Sequence, residues 1–515
     1  MIKKIFALQV IFLFAAFYLP AQNSTSLLQS NPESEGVSST GILQFITAVE
    51  QSKNGMHSFI FLRHGKIIAE GWWDPYKPDL KHSLYSLSKI FTSTAIGFAV
   101  NENSLKLTDK VISFFPHDLP DTISPFLAGL TVRDVLIMSD GQDPDPSFTI
   151  GIKSKNWVKA FLATPIVKKP GTAFLYNSMG TFMLSAIIQK VTGQRVIDYL
   201  KPRLFDPLGI TGMDWEENLS GVNTGGWGLR LKTDDIAKMG QLYLQKGMWN
   251  GTQVIPAAWI EEATTLKIIQ HPGLEQSKKD SSDWEQGYGY QIWRCRYQSY
   301  RGDGAYGQYM IVMPDQDAVI AILSETADMQ DELNLVWKYL LPSMKKGKLP
   351  ADQKSQYALK AKLSSLAVPI TAGSYTSFAA NKNLNKTFIL EPNDFQIRSV
   401  VLQIKDSSCH FIMNTASDVY NLYYNAGSWK AGQTNKPGPS LFGAAKENFG
   451  ILAPFKVDGN FYWKDDQTLV LLMRYIESPH SQTMTFHFEG QKISVDIENS
   501  LDFGKNKTVL NGVLK

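Results

Sequence analysis

The chain has 515 residues, 43% of them hydrophobic and 19% charged, with 28 Phe, 20 Tyr and 12 Trp. That composition excludes wholesale disorder, a collagen repeat and a coiled coil, and the length suggests two to four domains. Lys and Arg number 51 against 48 acids, for a net charge of +3, so no cationic excess points to a nucleic-acid partner.

The first element is a targeting signal. Lys3 and Lys4 precede an apolar stretch over 5–19, broken only by Gln9, and Pro20-Ala21-Gln22 follows. This is the pattern of a secretory signal peptide over 1–21, cleaved near Ala21, and it predicts an exported protein, periplasmic or secreted. The stretch is shorter than the ~20 residues a membrane-spanning helix needs. No later segment is uninterruptedly apolar for long enough, so the mature chain is expected to lack a transmembrane segment.

Residues 22–345 read as one α+β unit. Residues 58–68 predict a hairpin turning at His64-Gly65-Lys66. Residues 87–100 predict a helix with Leu87, Ile90, Phe91, Ala95, Ile96 and Phe98 largely on one side. Further helices are expected over 131–138, over 180–191 with Gly193 closing it, and over 233–246 with Thr233 as N-cap. Strands are expected over 288–297, 306–313 and 318–323, and a last helix over 331–341.

Residues 346–365 are polar and read as a linker. Beyond them, over 366–515, short strands are expected at 388–390, 399–404, 411–414, 419–424, 460–463, 469–475, 483–488 and 493–497. Asp458-Gly459 and Glu489-Gly490 read as turns between strands. With little helical pattern, this part is expected to be an all-β barrel or sandwich. Its aromatics Tyr423, Tyr424, Trp429, Tyr462 and Trp463 read as core, with a sugar-stacking surface as the alternative. The two cysteines, Cys295 and Cys409, read as isolated buried thiols, with an interdomain disulfide as the alternative.

Three segments suggest chemistry. Ser-x-x-Lys occurs at Ser86–Lys89, opening an apolar-faced helix, and at Ser343–Lys346, where a helix ends in polar chain. Residues three apart share a helix face, so the Lys89 amine can reach the Ser86 hydroxyl. A serine needs a base to become a nucleophile, and lysine is a base only when burial or a nearby cation lowers its pKa. The first-turn N–H of Ser86 is free to bind an oxyanion. Tyr176-Asn177-Ser178 precedes a helix and offers a phenol for proton relay and a hydroxyl for substrate. Gly302-Asp303-Gly304-Ala305-Tyr306-Gly307-Gln308 enters a strand, where the glycines allow close approach and the Ala305 N–H is a second oxyanion donor.

As an ordered set these segments resemble the penicillin-recognising serine hydrolases. The likeness is to class C β-lactamases, D-alanyl-D-alanine carboxypeptidases, and their esterase and 6-aminohexanoate-dimer hydrolase relatives. Supporting stretches are His82 to Ser93, Leu130 to Leu136 followed by Ser139-Asp140-Gly141, Pro170-Gly171-Thr172, and Gly225-Gly226-Trp227-Gly228-Leu229-Arg230. The resemblance spans about residues 35–340. It implies a β-lactamase-like domain, an antiparallel sheet with a helical subdomain, acting on a small-molecule or short-peptide ester or amide through an acyl-enzyme.

Under it, Ser86 is the nucleophile, and Lys89 and Tyr176 share the general-base role. Ser86 and Ala305 form the oxyanion hole, while Ser178, Gly302 and Gly304 contact substrate. No metal or organic cofactor is implied. Two departures stand out. The third motif, usually Lys-Thr-Gly or His-x-Gly, reads here as Gly302-Asp303-Gly304, which removes the cation that would grip a substrate carboxylate. Arg301 beside it is expected on the other strand face. No glutamate stands where class A enzymes activate the deacylating water. The alternative function is a catalytically inactive sensor, or a cell-wall or glycan-binding protein, on the same fold.

Overall fold

The computed structural model describes residues 25–515 except 148, 151–153, 372, 375–381, 441–451 and 502–506; the expected signal peptide therefore lies outside the described residues. Among the described residues no helix is long and apolar enough to cross a membrane.

The first part is built on seven strands: β1 (Leu28–Gln29), β2 (Gly55–Arg63), β3 (Lys66–Trp72), β4 (Trp293–Arg294), β5 (Tyr300–Gly304), β6 (Gln308–Met313) and β7 (Ala318–Glu325). Their order is β1-β3-β2-β7-β6-β5-β4, antiparallel except for β1 beside β3. The β2–β3 hairpin turns at His64 and Gly65, with φ of 49° and 72°. Two successive left-handed residues match the twist of the flanking strands.

β2, β6 and β7 are buried along almost their whole length, so both faces of the sheet are covered. Alternation divides them. Phe59, Phe61, Ile311, Ile320 and Ile322 face one core with Phe45 and Ile46 of α1 (Ser39–Gln51). Ile60, Leu62, Met310, Val312 and Val319 face a larger core on the other side. That core includes α2 (Ser88–Asn101), α3 (Ser178–Thr192) and α4 (Thr233–Leu244). Truncating a fully buried Phe61 to Ala would cost ~3–5 kcal/mol, because the sheet cannot close over the void.

The expected one-sided pattern of α2 does not describe its setting: every residue from Ser88 to Ala99 is buried. Its polar residues are satisfied by surrounding backbone. Thr92 donates to Gly225 O at 2.8 Å and Ser93 to Tyr290 O at 2.8 Å, while Ser88 accepts from Leu229 N at 3.1 Å. Thr233 does not cap α4; its hydroxyl pairs with Ser58 at 2.8 Å, and the cap position is Lys232. The strand expected over 288–297 is reduced to β4.

The segment read as a linker carries α5 (Gln353–Leu363), which packs on α1 through a Lys362–Glu50 ion pair of 2.6 Å. Beyond it lie β8 (Thr387–Leu390), β9 (Ile397–Lys405), β10 (Ser408–Thr415), β11 (Val419–Asn425), β12 (Lys430–Thr434), β13 (Phe455–Asp465), β14 (Thr468–Tyr475), β15 (His480–Glu489), β16 (Lys492–Asn499) and β17 (Thr508–Leu514). Nine of them close into a barrel in the order β11-β10-β9-β8-β17-β16-β15-β14-β13, with β12 on the remaining edge of β13. A ring with an odd number of alternating strands must contain one parallel contact, and here β11 meets β13 in parallel at Asn425 and Asn460. The Asn460 side chain reinforces that seam by donating to Asn425 O at 3.0 Å and Ser428 O at 3.1 Å.

Asp458-Gly459, read as a turn, is instead the middle of β13. A Cβ on Gly459 would lie 2.3 Å from Tyr423 O, so the glycine serves the close approach of strands at closure, not chain reversal. Glu489-Gly490 does turn, with Gly490 at φ 58°. Tyr424 and Trp463 are buried in the barrel core, whereas Tyr423 is exposed. Cys295 and Cys409 are both buried and free.

Candidate active site

Ser86 sits in a single 3-10 turn, Tyr85–Leu87, that leads directly into α2. The turn is held against β5 by absent side chains. A Cβ on Gly304 would fall 1.9 Å from Leu84 O, and one on Gly302 would fall 2.5 Å from Leu87 Cδ1. Both glycines therefore spend their missing side chains on strand-to-turn contact. Ala305 follows at the strand end, its carbonyl accepting from Gln308 Nε2 at 3.1 Å.

Three residues after Ser86, at the second residue of α2, Lys89 is 1% exposed. Its Nζ donates to Ser86 Oγ at 3.0 Å, Ser178 Oγ at 3.0 Å and Gly226 O at 2.7 Å, and it lies 4.7 Å from the centre of the Tyr176 ring. Burial pulls its pKa down to about 7, opposed by the fields of Asp145 and Asp303. Tyr176 is hydrogen-bonded to Ser86, and burial pushes the phenol well above its ordinary value, with Asp303 adding to the effect. The tyrosine is thus a neutral phenol near pH 7, and Lys89 is the group able to exchange a proton there.

The start of α3 is fixed by Asn177, not Ser178. Asn177 Oδ1 accepts from Gly180 N at 3.1 Å, and its amide donates to Asp140 Oδ2 at 2.9 Å and Gln142 Oε1 at 3.0 Å. Ser178 is left free to face Lys89. Asp140 is fully enclosed, and burial raises its pKa to about 7.

Arg301 and Asp303 share the face of β5 opposite Gly302 and Gly304. Arg301 Nε donates to Asp303 at 2.9 Å and Nη1 to Asp283 O at 2.8 Å, and the guanidinium lies 4.3 Å from the Trp284 ring centre. It is fully buried and engaged, so it offers no open cation to a ligand. The structure thus brings Ser86, Lys89, Tyr176 and Ser178 together and sets Gly302, Gly304 and Ala305 beside their turn. The sequence reading missed the Gly226 carbonyl and the fields of Asp145 and Asp303. The Gly225-Gly226 pair was the available signal: a Cβ on Gly226 would lie 2.8 Å from Ser178 O. Ser343, the other Ser-x-x-Lys serine, is buried and donates to Leu340 O at 2.6 Å. Among the described residues no group of His, Cys, Asp and Glu could hold a metal ion.

A polar cluster of this kind on an α+β scaffold defines a β-lactamase-fold hydrolase. The β-lactamase family model matches residues 48–341, more than half of the chain, and the chain belongs to that family of serine hydrolases. It is 25% identical over 296 residues to the 6-aminohexanoate-dimer hydrolase of Paenarthrobacter ureafaciens, covering 53% of this chain and 73% of the relative. It is 26% identical over 174 residues to protein flp of Staphylococcus aureus strain MRSA252, covering 31% and 35%. Among solved structures, a Bacillus anthracis protein assigned as a 6-aminohexanoate-dimer hydrolase aligns with a TM-score of 0.51 at 19% identity, over 63% of this chain and 88% of that one. A penicillin-binding protein homologue from Caulobacter crescentus aligns with a TM-score of 0.50 at 15% identity, over 62% and 99%. That neighbour has no counterpart for the rest of this chain.

Proposed function

We propose that the protein is an exported serine hydrolase that cleaves an ester or amide of a small molecule or short peptide through an acyl-enzyme on Ser86. The observation that carries this reading is the buried Lys89 amine, 3.0 Å from Ser86 Oγ, with its pKa brought down to about 7. In the acylation step neutral Lys89 accepts the Ser86 hydroxyl proton as Oγ bonds to the substrate carbonyl carbon. The Ser86 and Ala305 N–H groups receive the oxyanion, a contribution of about 3–4 kcal/mol per donor. The proton passes from Lys89, by way of the Tyr176 phenol, to the leaving nitrogen or oxygen as its bond to carbon breaks. Water then attacks the ester and gives a proton to Lys89, which passes it to Ser86 Oγ as the bond between Oγ and the acyl carbon breaks, releasing the carboxylic acid product and restoring neutral Lys89. Ser178 shares Lys89 and faces the substrate.

The engaged state of Arg301 favours substrates that need no cation for a carboxylate, which argues for the esterase and linear-amide side of the family. The 6-aminohexanoate-dimer hydrolase relative fits that direction. The charged-then-apolar beginning of the chain supports export.

The test is covalent labelling of the mature protein with a fluorophosphonate, read by peptide mass spectrometry, beside Ser86→Ala and Ser343→Ala. A mass shift on Ser86 that vanishes only in Ser86→Ala is expected. Folded protein without an adduct at Ser86 would sink the reading in favour of an inactive binding protein.

A further inference from the structure

The barrel touches the catalytic part at the residues next to the two oxyanion donors. Tyr85 immediately precedes Ser86, and Tyr306 immediately follows Ala305. Both are left-handed, with φ of 45° and 72°, a conformation unfavourable for a residue carrying a Cβ. Something must hold them there. The Tyr85 hydroxyl and His480 Nε2, at the first residue of β15, are 2.5 Å apart. The Tyr306 hydroxyl donates to Leu501 O, beyond β16, at 3.1 Å.

The three rings form a closed group. Tyr85 and Tyr306 are 5.6 Å apart at 80°, Tyr85 and His480 5.8 Å at 90°, and Tyr306 and His480 5.2 Å at 75°. Edge-to-face packing at these separations is the favoured geometry for such rings. One ring of the three comes from the barrel, and it is the one that touches both tyrosines. Around it the docking continues: Ser83 N donates to Glu477 O at 2.9 Å, Arg230 to Glu477 Oε2 at 3.3 Å, and Arg474 and Ser481 to Glu325 at 2.6 and 2.8 Å.

We infer that the C-terminal barrel is part of the acyl-transfer apparatus: His480 is a positioning residue that, through Tyr85, fixes the peptide group carrying the Ser86 donor and, through Tyr306, holds the chain immediately after Ala305. This rests on the function proposed above. The Tyr85 backbone orients the Ser86 N–H, because that N–H belongs to the peptide unit between the two residues. Losing the His480 ring removes a contact shared by both tyrosines that opposes relaxation of two unfavourable φ angles. A displacement of a few tenths of an ångström at an oxyanion donor lowers the rate of attack while leaving the binding cleft intact.

The experiment uses the full mature chain and the fluorophosphonate probe. It separates the maximal inactivation rate at Ser86 from the probe concentration for half-maximal rate. His480→Leu, His480→Gln and Tyr85→Phe are compared with wild type and with Lys456→Ala, which removes a rim ion pair to Glu477. Circular dichroism confirms that each variant is folded at the temperature used. His480→Leu is expected to lower the maximal rate at least tenfold with the half-maximal concentration unchanged. His480→Gln, which keeps a hydrogen-bond partner for Tyr85, should recover part of that loss. Tyr85→Phe should lose several-fold, and Lys456→Ala should match wild type. A folded His480→Leu reacting at the wild-type rate overturns the inference and leaves the hydrolase reading standing. If His480→Leu fails to fold, Tyr85→Phe decides: a wild-type rate overturns the inference, and a lowered maximal rate supports it. Wild-type protein without an adduct at Ser86 overturns the hydrolase reading itself.

Discussion

Two groups of buried bases flank the short segment that carries Ser86, and burial treats them alike. On one side Lys89 is brought down to about 7. On the other, His57 and His480 are each brought down to about 4, and His82 is lowered as well, in all three first by loss of water. The surroundings differ. Lys89 keeps the Ser86 hydroxyl, the Ser178 hydroxyl and the Gly226 carbonyl within 3.0 Å. The histidines face each other, rings and the domain boundary. His57 Nδ1 and His82 Nε2 are 3.0 Å apart, and His57 stacks on Tyr76 at 3.6 Å. His57 also lies 3.6 Å from Glu325, which Arg474 engages in turn. A lowered pKa therefore does not by itself mark a chemical centre, since His480 also meets a hydroxyl, that of Tyr85. At the boundary the same physics predicts that docking weakens in acid.

The sharpest way to break that comparison is at Lys89. Lys89→Met should slow Ser86 labelling by about 10²–10⁴-fold, the usual worth of a positioned general base. In wild type the rate should climb with pH through about 7, because the reactive form is the neutral amine, and Lys89→Met should lose that step.

The second prediction concerns the boundary. A histidine whose pKa is lower when folded adds stability that is complete above its ordinary value of 6.5 and is lost as pH falls toward 4. For His480 the loss is on the order of 3 kcal/mol. Its neighbours are Tyr85 and Tyr306, with the Glu325 carboxylate and the His57 imidazole in range. Thermal unfolding followed from pH 7 to pH 4 should show a steep decline, shallower in His480→Gln, which cannot gain a proton. Equal slopes would refute it.

Gly304→Ala comes next. A Cβ 1.9 Å from the Leu84 carbonyl must push the turn away from β5, at a cost of ~1–3 kcal/mol and a lower labelling rate. Chemical denaturation and labelling together would detect it. The smallest effect is expected of Asp145→Asn, which removes a negative field that favours protonated Lys89. The pH step in labelling should move to lower pH by a fraction of a unit; a move upward would contradict the assignment.

Much of this arrangement was legible in the chain, because its spacings are local. The three-residue interval from Ser86 to Lys89, the His64-Gly65 turn and the apolar run of 469–475 all depend on neighbours in sequence. What was not legible depends on distant partners. Asp458-Gly459 has the composition of a turn, and only the crossing of Tyr423 and Tyr424 explains it inside a strand. β12 and β17 escaped notice because Lys430, Ala431, Thr508 and Val509 are exposed and break the apolar alternation. α5 was hidden by its polar composition. The Tyr85–His480 contact joins residues 395 positions apart, and no local pattern marks either one.

The three acceptors around Lys89 have a consequence for how the site is armed. A protonated amine offers three N–H groups, and Ser86, Ser178 and Gly226 take one each. A neutral amine offers two, and the Gly226 carbonyl can only accept. With Gly226 and Ser178 retaining theirs, the lone pair faces Ser86, and the hydrogen bond between the two reverses its polarity. Ser86 changes from receiving a proton to giving one, while every heavy atom stays where it is.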